Sequence, residues 1–261
     1  MQSKVKGQVI VVTGASKGIG FATAQVLASR GARVALLARG EAGLQEAAAQ
    51  LPADQVFTAA VDVCDKAGVE KALDAVIAKW GRIDGIINNA GFQFARRIEL
   101  MPEAEVRKMV DVNFLATVFA CQLAIPRLRK TGGGRIVNIS SATVRHDNEF
   151  AHLALYSASK AAMDKFSQEL REEVKKDGVL VTVFSPGAVA TGSIANFDPA
   201  ALPEAMGAWL EKGPKFDGMT TADVIGEAIA GCFEFPAGVA VEFMEVRPQM
   251  LTPKLLENEV K

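Results

Sequence analysis

The chain has 261 residues, 49% of them apolar, and a net charge of −1. This is enough apolar surface for a sizeable core, and too little charge of either sign to point to nucleic acid or an anionic membrane as a partner. The opening residues lack the apolar run and cleavage site of a secretory signal, and the apolar runs fall short of a bilayer span, so a cytoplasmic soluble protein is the default.

Residues 8–13 (QVIVVT) form a short apolar run rich in β-branched side chains and read as a strand. Helical spacing follows and ends at Gly31, a residue suited to a helix C-cap. The alternation continues with a strand at 33–38, a helix at 41–51, a strand at 55–62, a helix at 66–80 and a strand at 83–89. A long amphipathic stretch covers about 103–130, then come a strand at 134–141, a helix around 155–177 and a strand at 179–185. Residues 238–251 read as a last strand with an extended segment. Wholly apolar strands alternating with helices imply an α/β fold, a doubly wound and mostly parallel sheet of seven strands with helices on both faces. No linker or repeat interrupts the pattern, so residues 1–261 are taken as one domain. Cys64, Cys121 and Cys232 stand in no metal-type spacing and read as reduced core thiols; His146 and His152 are too few for a metal site.

In such sheets ligands bind beyond the carboxyl ends of the strands. TGASKGIG (13–20) joins the first strand to the first helix, with Gly14, Gly18 and Gly20 spaced as GxxxGxG. Glycines there let the backbone turn tightly against a pyrophosphate, and a helix N-terminus favours that anion. The plainer alternative is a glycine-rich turn with no ligand. An NAD enzyme usually carries an acid at the end of the second strand to hold the ribose 2′-hydroxyl. Here that place holds Ala38, followed by Arg39. A planar guanidinium suits a 2′-phosphate, and Lys17 adds a second positive charge, which selects NADP(H) unless both are solvated surface charges.

The only tyrosine, Tyr156, precedes Lys160 by one helical turn, which places a phenol beside an ammonium group. TGASKGIG, NNAG (88–91), Asn113, ISS (139–141), YSASK (156–160) and SPGAVAT (185–191) together resemble the short-chain dehydrogenase/reductase family, of compact single-domain type, over about residues 8–191. The resemblance implies a Rossmann fold and assigns roles. Tyr156 resembles the catalytic acid–base, and Lys160 the residue that holds the nicotinamide ribose and lowers the tyrosine pKa. Ser141 resembles the hydrogen-bonding partner of the substrate oxygen, and Asn113 the support of a water-mediated proton path. In the glycine loop Gly14, Ser16, Lys17, Gly18, Ile19 and Gly20 match cofactor contacts, joined by Arg39. Asp62 and Val63 match the adenine side. Asn88, Asn89, Ala90 and Gly91 match the loop beside the ribose. Pro186, Gly187, Val189 and Thr191 match the nicotinamide side. The chemistry agrees: a free tyrosine titrates near ~10, and a neighbouring cation moves it toward the useful range.

Read without the family, Ser140 and Ser141 are strand-end hydroxyls that cap backbone groups, Asn113 is the partner of a helix kink, and NNAG is a turn that serves only backbone geometry. The segment between Ser141 and Tyr156 is two residues longer than the family's commonest spacing. It sets Arg145, His146, Asp147 and Asn148 either at the substrate mouth or in a solvated loop. Residues 192–216 are expected to form a substrate lid, with Met206, Trp209 and Leu210 on a short helix; Phe92 and Phe94 are further pocket candidates, and Arg96 and Arg97 read as surface charges. The expected function is NADPH-dependent reduction of a ketone or aldehyde to an alcohol, reversibly. The rivals are an NADPH-binding regulator without turnover and an epimerase or dehydratase on the same scaffold. A homodimer or homotetramer is expected from the resemblance, with contacts through the helices at 103–130 and 155–177.

Overall fold

The computed structural model describes residues 3–146, 151–191, 197–212 and 218–248. Seven strands form one sheet: β1 (Val9–Thr13), β2 (Arg33–Ala38), β3 (Val56–Ala60), β4 (Gly85–Asn88), β5 (Gly134–Ile139), β6 (Val179–Pro186) and β7 (Phe243–Val246). Their order is β3-β2-β1-β4-β5-β6-β7, and every neighbouring pair is parallel. The order reverses between β1 and β4, the switch point at which such sheets bind ligands.

Alternation along each strand divides the core into two layers. Ile10, Val12, Val34, Leu36 and Ile87 face one layer, covered by α1 (Gly18–Ser29), α2 (Glu41–Ala48) and α8 (Ala222–Gly231). Val9, Val11, Ala35, Leu37 and Ile86 face the other, covered by α3 (Lys66–Trp80), α5 (Ala116–Lys130) and α6 (Ala154–Val174). Burial on both faces is why these strands are apolar without interruption. Cys121 and Cys232 are buried as expected, but Cys64 is exposed at the turn after β3, against the reading of all three as core thiols.

Three features differ from the sequence reading. The stretch 103–130 is α4 (Glu103–Val110) and α5 joined by a π turn at Asp111–Leu115. The joined helix is long and apolar enough to cross a membrane by length and composition, contrary to the estimate from separate apolar runs. It serves instead as a core helix, with Ala120, Cys121, Ala124 and Leu128 against the sheet. The helix α8 was not anticipated. It packs on α1 at Gly226, where a Cβ would come within 2.9 Å of the backbone of Ala22 and Thr23. Finally, the large apolar side chains most exposed to solvent, among the described residues, lie on neither of the helices expected to make subunit contacts. They include Ile98 and Leu100 ahead of α4, and Phe235, Val239 and Phe243 at the β7 edge.

The helix of the expected lid is α7 (Leu202–Lys212), while residues 192–196 and 213–216 of that segment lie outside the described residues. Its flanks are pinned together. Ala190 N donates to Thr220 O at 2.9 Å, and Thr220 N donates to Ala188 O at 3.0 Å.

Candidate active site

A cleft of about 580 Å³ opens where the carboxyl ends of the strands meet the helix N-termini. Its floor is the glycine loop. Gly14 has φ +65°, and a Cβ there would lie 3.0 Å from Ala90 Cα. A Cβ on Gly20 would meet Asn89 Nδ2 at 2.5 Å and Gly14 O at 2.6 Å, so only glycine lets α1 start this close to the loop after β4. Asn89 fastens the two loops by donating to Thr13 O at 2.9 Å and Gly14 O at 3.2 Å. Thr13 completes the tie. Its Oγ1 accepts from Asn89 N at 3.0 Å and Ala90 N at 3.1 Å, and donates to Ile87 O at 3.3 Å.

Lys17 and Arg39 line the end of the cleft near β2. Both are exposed and neither has an ion pair among the described residues. Ala38 closes β2 where an acid would otherwise stand, so no carboxylate opposes them at that position. Asp62 and Val63 line the same end, and Asp62 Oδ1 accepts from Cys64 N at 2.9 Å.

Ser141, Tyr156 and Lys160 converge beyond β5 and on the first turns of α6. Ser141 Oγ accepts from Thr143 N at 3.3 Å and Thr143 Oγ1 at 3.0 Å. Its own proton is left for Tyr156, with which it hydrogen-bonds. Burial among apolar groups pushes the Tyr156 phenol above its ordinary range, opposed by the hydrogen bond from Ser141. The expected lowering by Lys160 does not govern this arrangement. Lys160 is 4% exposed, and its Nζ donates to Ile139 O at 2.7 Å. Burial lowers the ammonium to about 8, and Asp164 one turn further on works against that shift.

Asn113 stands behind the cleft, inside the π turn. Its Oδ1 accepts from Phe92 N at 2.8 Å, and its Nδ2 donates to Phe92 O at 2.8 Å and Ser159 Oγ at 3.0 Å. It therefore clamps the loop after β4 to α6. The clamp brings its Oδ1 and Lys160 Nζ to the same side of Gly91, 3.7 and 3.4 Å from where a Cβ would sit.

Of the remaining sequence-predicted positions, Ser16, Gly18 and Ile19 line the cleft on the loop side, and Ala90 and Gly91 after β4. Pro186, Gly187, Val189 and Thr191 line it after β6. Gly20 and Asn113 are one layer behind. Asn88 does not reach the cleft: it is buried between strands, and its Nδ2 donates to Asn138 Oδ1 at 2.8 Å. Arg145 and His146 turn away from the expected substrate mouth. Arg145 pairs with Asp164 at 2.7 Å and stacks over Phe243, while His146 Nε2 meets Glu245 Oε1 at 2.7 Å. Asp147 and Asn148 lie outside the described residues. Phe92 lines the cleft, with Phe94 packed edge-on behind it at 4.5 Å between centroids.

Sequence reasoning gave no role to Thr13 or Thr143, whose hydroxyls orient the site; a threonine at a strand end carries no signal of its own. Ser140, read as a possible cap, is buried with no partner for its hydroxyl, and it lines the cleft. The glycine floor, two cations outside any ion pair among the described residues and an unpartnered buried hydroxyl fit a bound dinucleotide. Among the described residues no cluster of His, Cys, Asp or Glu is suited to a metal.

Comparison with known proteins agrees with this arrangement. The family model for short chain dehydrogenases matches residues 8–201. An oxidoreductase of Staphylococcus epidermidis is 34% identical over 94% of this chain and 99% of its own. One from Staphylococcus aureus is 36% identical over 74% of this chain and 82% of its own. Among solved structures, an alcohol dehydrogenase from the archaeon Thermococcus sibiricus, complexed with 5-hydroxy-NADP, superposes with a TM-score of 0.80 at 28% identity, covering 95% of this chain and 99% of that one. A 3-ketoacyl-(acyl-carrier-protein) reductase from Brucella melitensis, complexed with NADH, shares the fold with a TM-score of 0.82 at 24% identity, over 93% and 98% of the two chains. With strand order, glycine loop and the Ser141–Tyr156–Lys160 cluster in place, the match along most of the sequence settles the family: this chain is a member of the short chain dehydrogenases, an oxidoreductase on a Rossmann-like fold.

Proposed function

We propose that the protein is a cytoplasmic, NADPH-dependent carbonyl reductase, a single catalytic domain that reduces a ketone or aldehyde to an alcohol and runs in reverse as an alcohol dehydrogenase. The observation that carries this reading is the convergence of Ser141, Tyr156 and Lys160 in one cleft that has Lys17 and Arg39 at its far end.

The dinucleotide supplies hydride chemistry when bound. Gly14, Ser16, Gly18 and Ile19 form the floor for its pyrophosphate, with Asp62, Val63, Asn89, Ala90 and Gly91 along its side. Lys17 and Arg39 hold a 2′-phosphate. Two similar structures, each 28% identical to this chain, are complexed with 5-hydroxy-NADP and NADP, which supports that choice. Pro186, Gly187, Val189 and Thr191 border the reacting end.

Ser141 Oγ and the Tyr156 hydroxyl donate hydrogen bonds to the substrate oxygen and stabilise the negative charge that grows on it. Tyr156 then gives up its proton to that oxygen. A phenol held above its usual range is fully protonated at neutral pH, which suits reduction. In the reverse direction the phenolate must form, so oxidation rises with pH. Lys160, lowered to about 8 by burial, is neutral at the pH where an undisturbed phenolate would form, so its part is to place an Nζ donor beside the cofactor loop, and Asn113 fixes the loop and helix between which it sits. Assembly as a homodimer or homotetramer belongs to the same proposal.

The test is NADPH oxidation followed by absorbance with a panel of ketones and aldehydes. Tyr156→Phe is expected to lower kcat by about 10²–10⁴-fold while NADPH binding persists, as expected for loss of a general acid. Arg39→Ala is expected to raise the KM for NADPH by about tenfold or more and leave that for NADH unchanged, since a hydrogen bond to a charged group contributes about 1.5–3 kcal/mol. Tight binding with no turnover of any carbonyl would favour the regulator instead.

A further inference from the structure

Resting on the reductase reading, we infer that the substrate is a bulky apolar ketone, and that Trp209 and Met206 of the lid helix select it. The walls around the reacting hydroxyl carry the argument. Tyr156 packs with Leu153, Phe197 and Trp209 in an apolar cluster separate from the two main core layers. Phe197, Met206, Trp209 and Met219 all line the cleft. Met206 and Met219 are each 43% exposed, large thioether side chains left partly uncovered on the cleft lining. Unbranched, polarizable side chains of this kind adapt to apolar ligands of varied shape.

The only carboxylate among the described cleft residues is Asp62, which follows β3 and so lies four strands from β5 and Ser141, so no acid stands near the reacting hydroxyl to hold a cationic substrate. Of the cations nearer that end, Lys108 lies over the Phe92 ring, 4.3 Å from its centroid, and Arg247 packs beside Gly187, both apart from the wall formed by Phe197 and Trp209. The described acids of the lid, Asp198 and Glu204, face away. On α7, Leu202, Ala205 and Trp209 join the apolar cluster at helical spacing, while Glu204 points to the other side. There Arg97 pairs with Glu204 at 2.5 Å, and Arg96 pairs with Asp198 at 2.6 Å and Glu105 at 3.3 Å. These pairs fix the helix with its apolar stripe inward. Trp209 is held as a wall: its Nε1 donates to Ala151 O at 2.7 Å, and its ring meets Phe197 edge-on at 6.2 Å. A polyhydroxylated keto sugar would leave its hydroxyls without partners against the Phe197–Trp209 wall, and a carboxylate directed at that wall would lie away from Lys108 and Arg247.

The experiment uses the full chain with NADPH and three ketone sets of similar size: alkyl and aryl ketones of increasing apolar surface, keto acids, and keto sugars. The expected kcat/KM rises with apolar size, by about tenfold for a well-seated methylene. Trp209→Ala is expected to raise KM for the largest apolar ketones about tenfold or more with kcat unchanged, the pattern of lost uniform binding. Met206→Ser, at an exposed position, repeats the test without disturbing the fold. A second readout needs no turnover. Trp80→Phe leaves Trp209 as the single tryptophan, and apolar ketones should then quench its fluorescence in the NADPH-bound protein. Faster reduction of keto acids or keto sugars than of apolar ketones overturns the inference and leaves the reductase reading intact. Quenching by apolar ketones without turnover of any carbonyl sinks the reductase reading and upholds the apolar site. Absence of quenching by every apolar ketone overturns the inference.

Discussion

Lys160 shows how the site trades stability for chemistry. A lysine held at about 8 in the folded state, against 10.5 when free, destabilises the fold by about 3 kcal/mol at neutral pH. The unfolded chain binds more protons than the folded one between those two values, so stability rises with pH through that window. Below pH 8 the full penalty is present, and above 10.5 it is gone. Lys160→Met removes the charge and also the hydrogen bond to Ile139 O, which is worth about 1 kcal/mol. The variant is therefore expected to gain about 2 kcal/mol in urea unfolding at pH 7, to lose that gain by pH 10.5, and to be inactive. An unchanged or lower stability at pH 7 would mean that the ammonium is better solvated than its burial implies. At this scale the pairing of Tyr156 with Lys160 in the cleft was legible in the sequence, because a lone tyrosine one turn from a lysine is a chemical pattern. Their pKa directions were not, because burial by Leu153, Phe197 and Trp209 comes from segments far apart in the chain.

Among the elements, the strands declared themselves through β-branched apolar runs, and the structure differs from the reading by only a few residues at their ends. The helix α8 did not. Its sequence, ADVIGEAIAG, mixes small residues with a central glycine, and its identity depends on the partner it packs against. Gly226 makes that dependence explicit. Gly226→Val is expected to push α8 off α1 and lower stability by about 1–3 kcal/mol, the usual range for overpacking, measured by urea unfolding. Because α8 follows the lid and α1 follows the glycine loop, the same variant should also weaken NADPH binding. Arg135 was equally hidden. It is a cation in a strand interior, 8% exposed, and it donates to the carbonyls of Val239, Phe235 and Pro236 at 2.9, 2.8 and 2.9 Å. No local pattern marks a charge that is satisfied by a turn about a hundred residues away.

At the scale of the whole molecule, we propose the β7 edge as a surface for the assembly, beside the long helices at 103–130 and 155–177 expected from the resemblance. Phe235 and Val239 are 41% and 45% exposed beside an edge strand, a combination that soluble chains usually cover. Light scattering is expected to give a small multiple of the chain mass, and the double variant Phe235→Glu, Val239→Glu to give the single chain. Neither change touches the backbone carbonyls that Arg135 uses. The π turn at Asp111–Leu115 has its own molecular reach. It is a phase shifter between two helical registers. Upstream and within it, orientation is dictated by the loop after β4, through Asn113. Downstream, it is dictated by the sheet, through Ala120, Cys121, Ala124 and Leu128. Deleting one residue of the turn would rotate everything after it by about 100°, so catalytic alignment and core packing can be satisfied together only while the extra residue is kept.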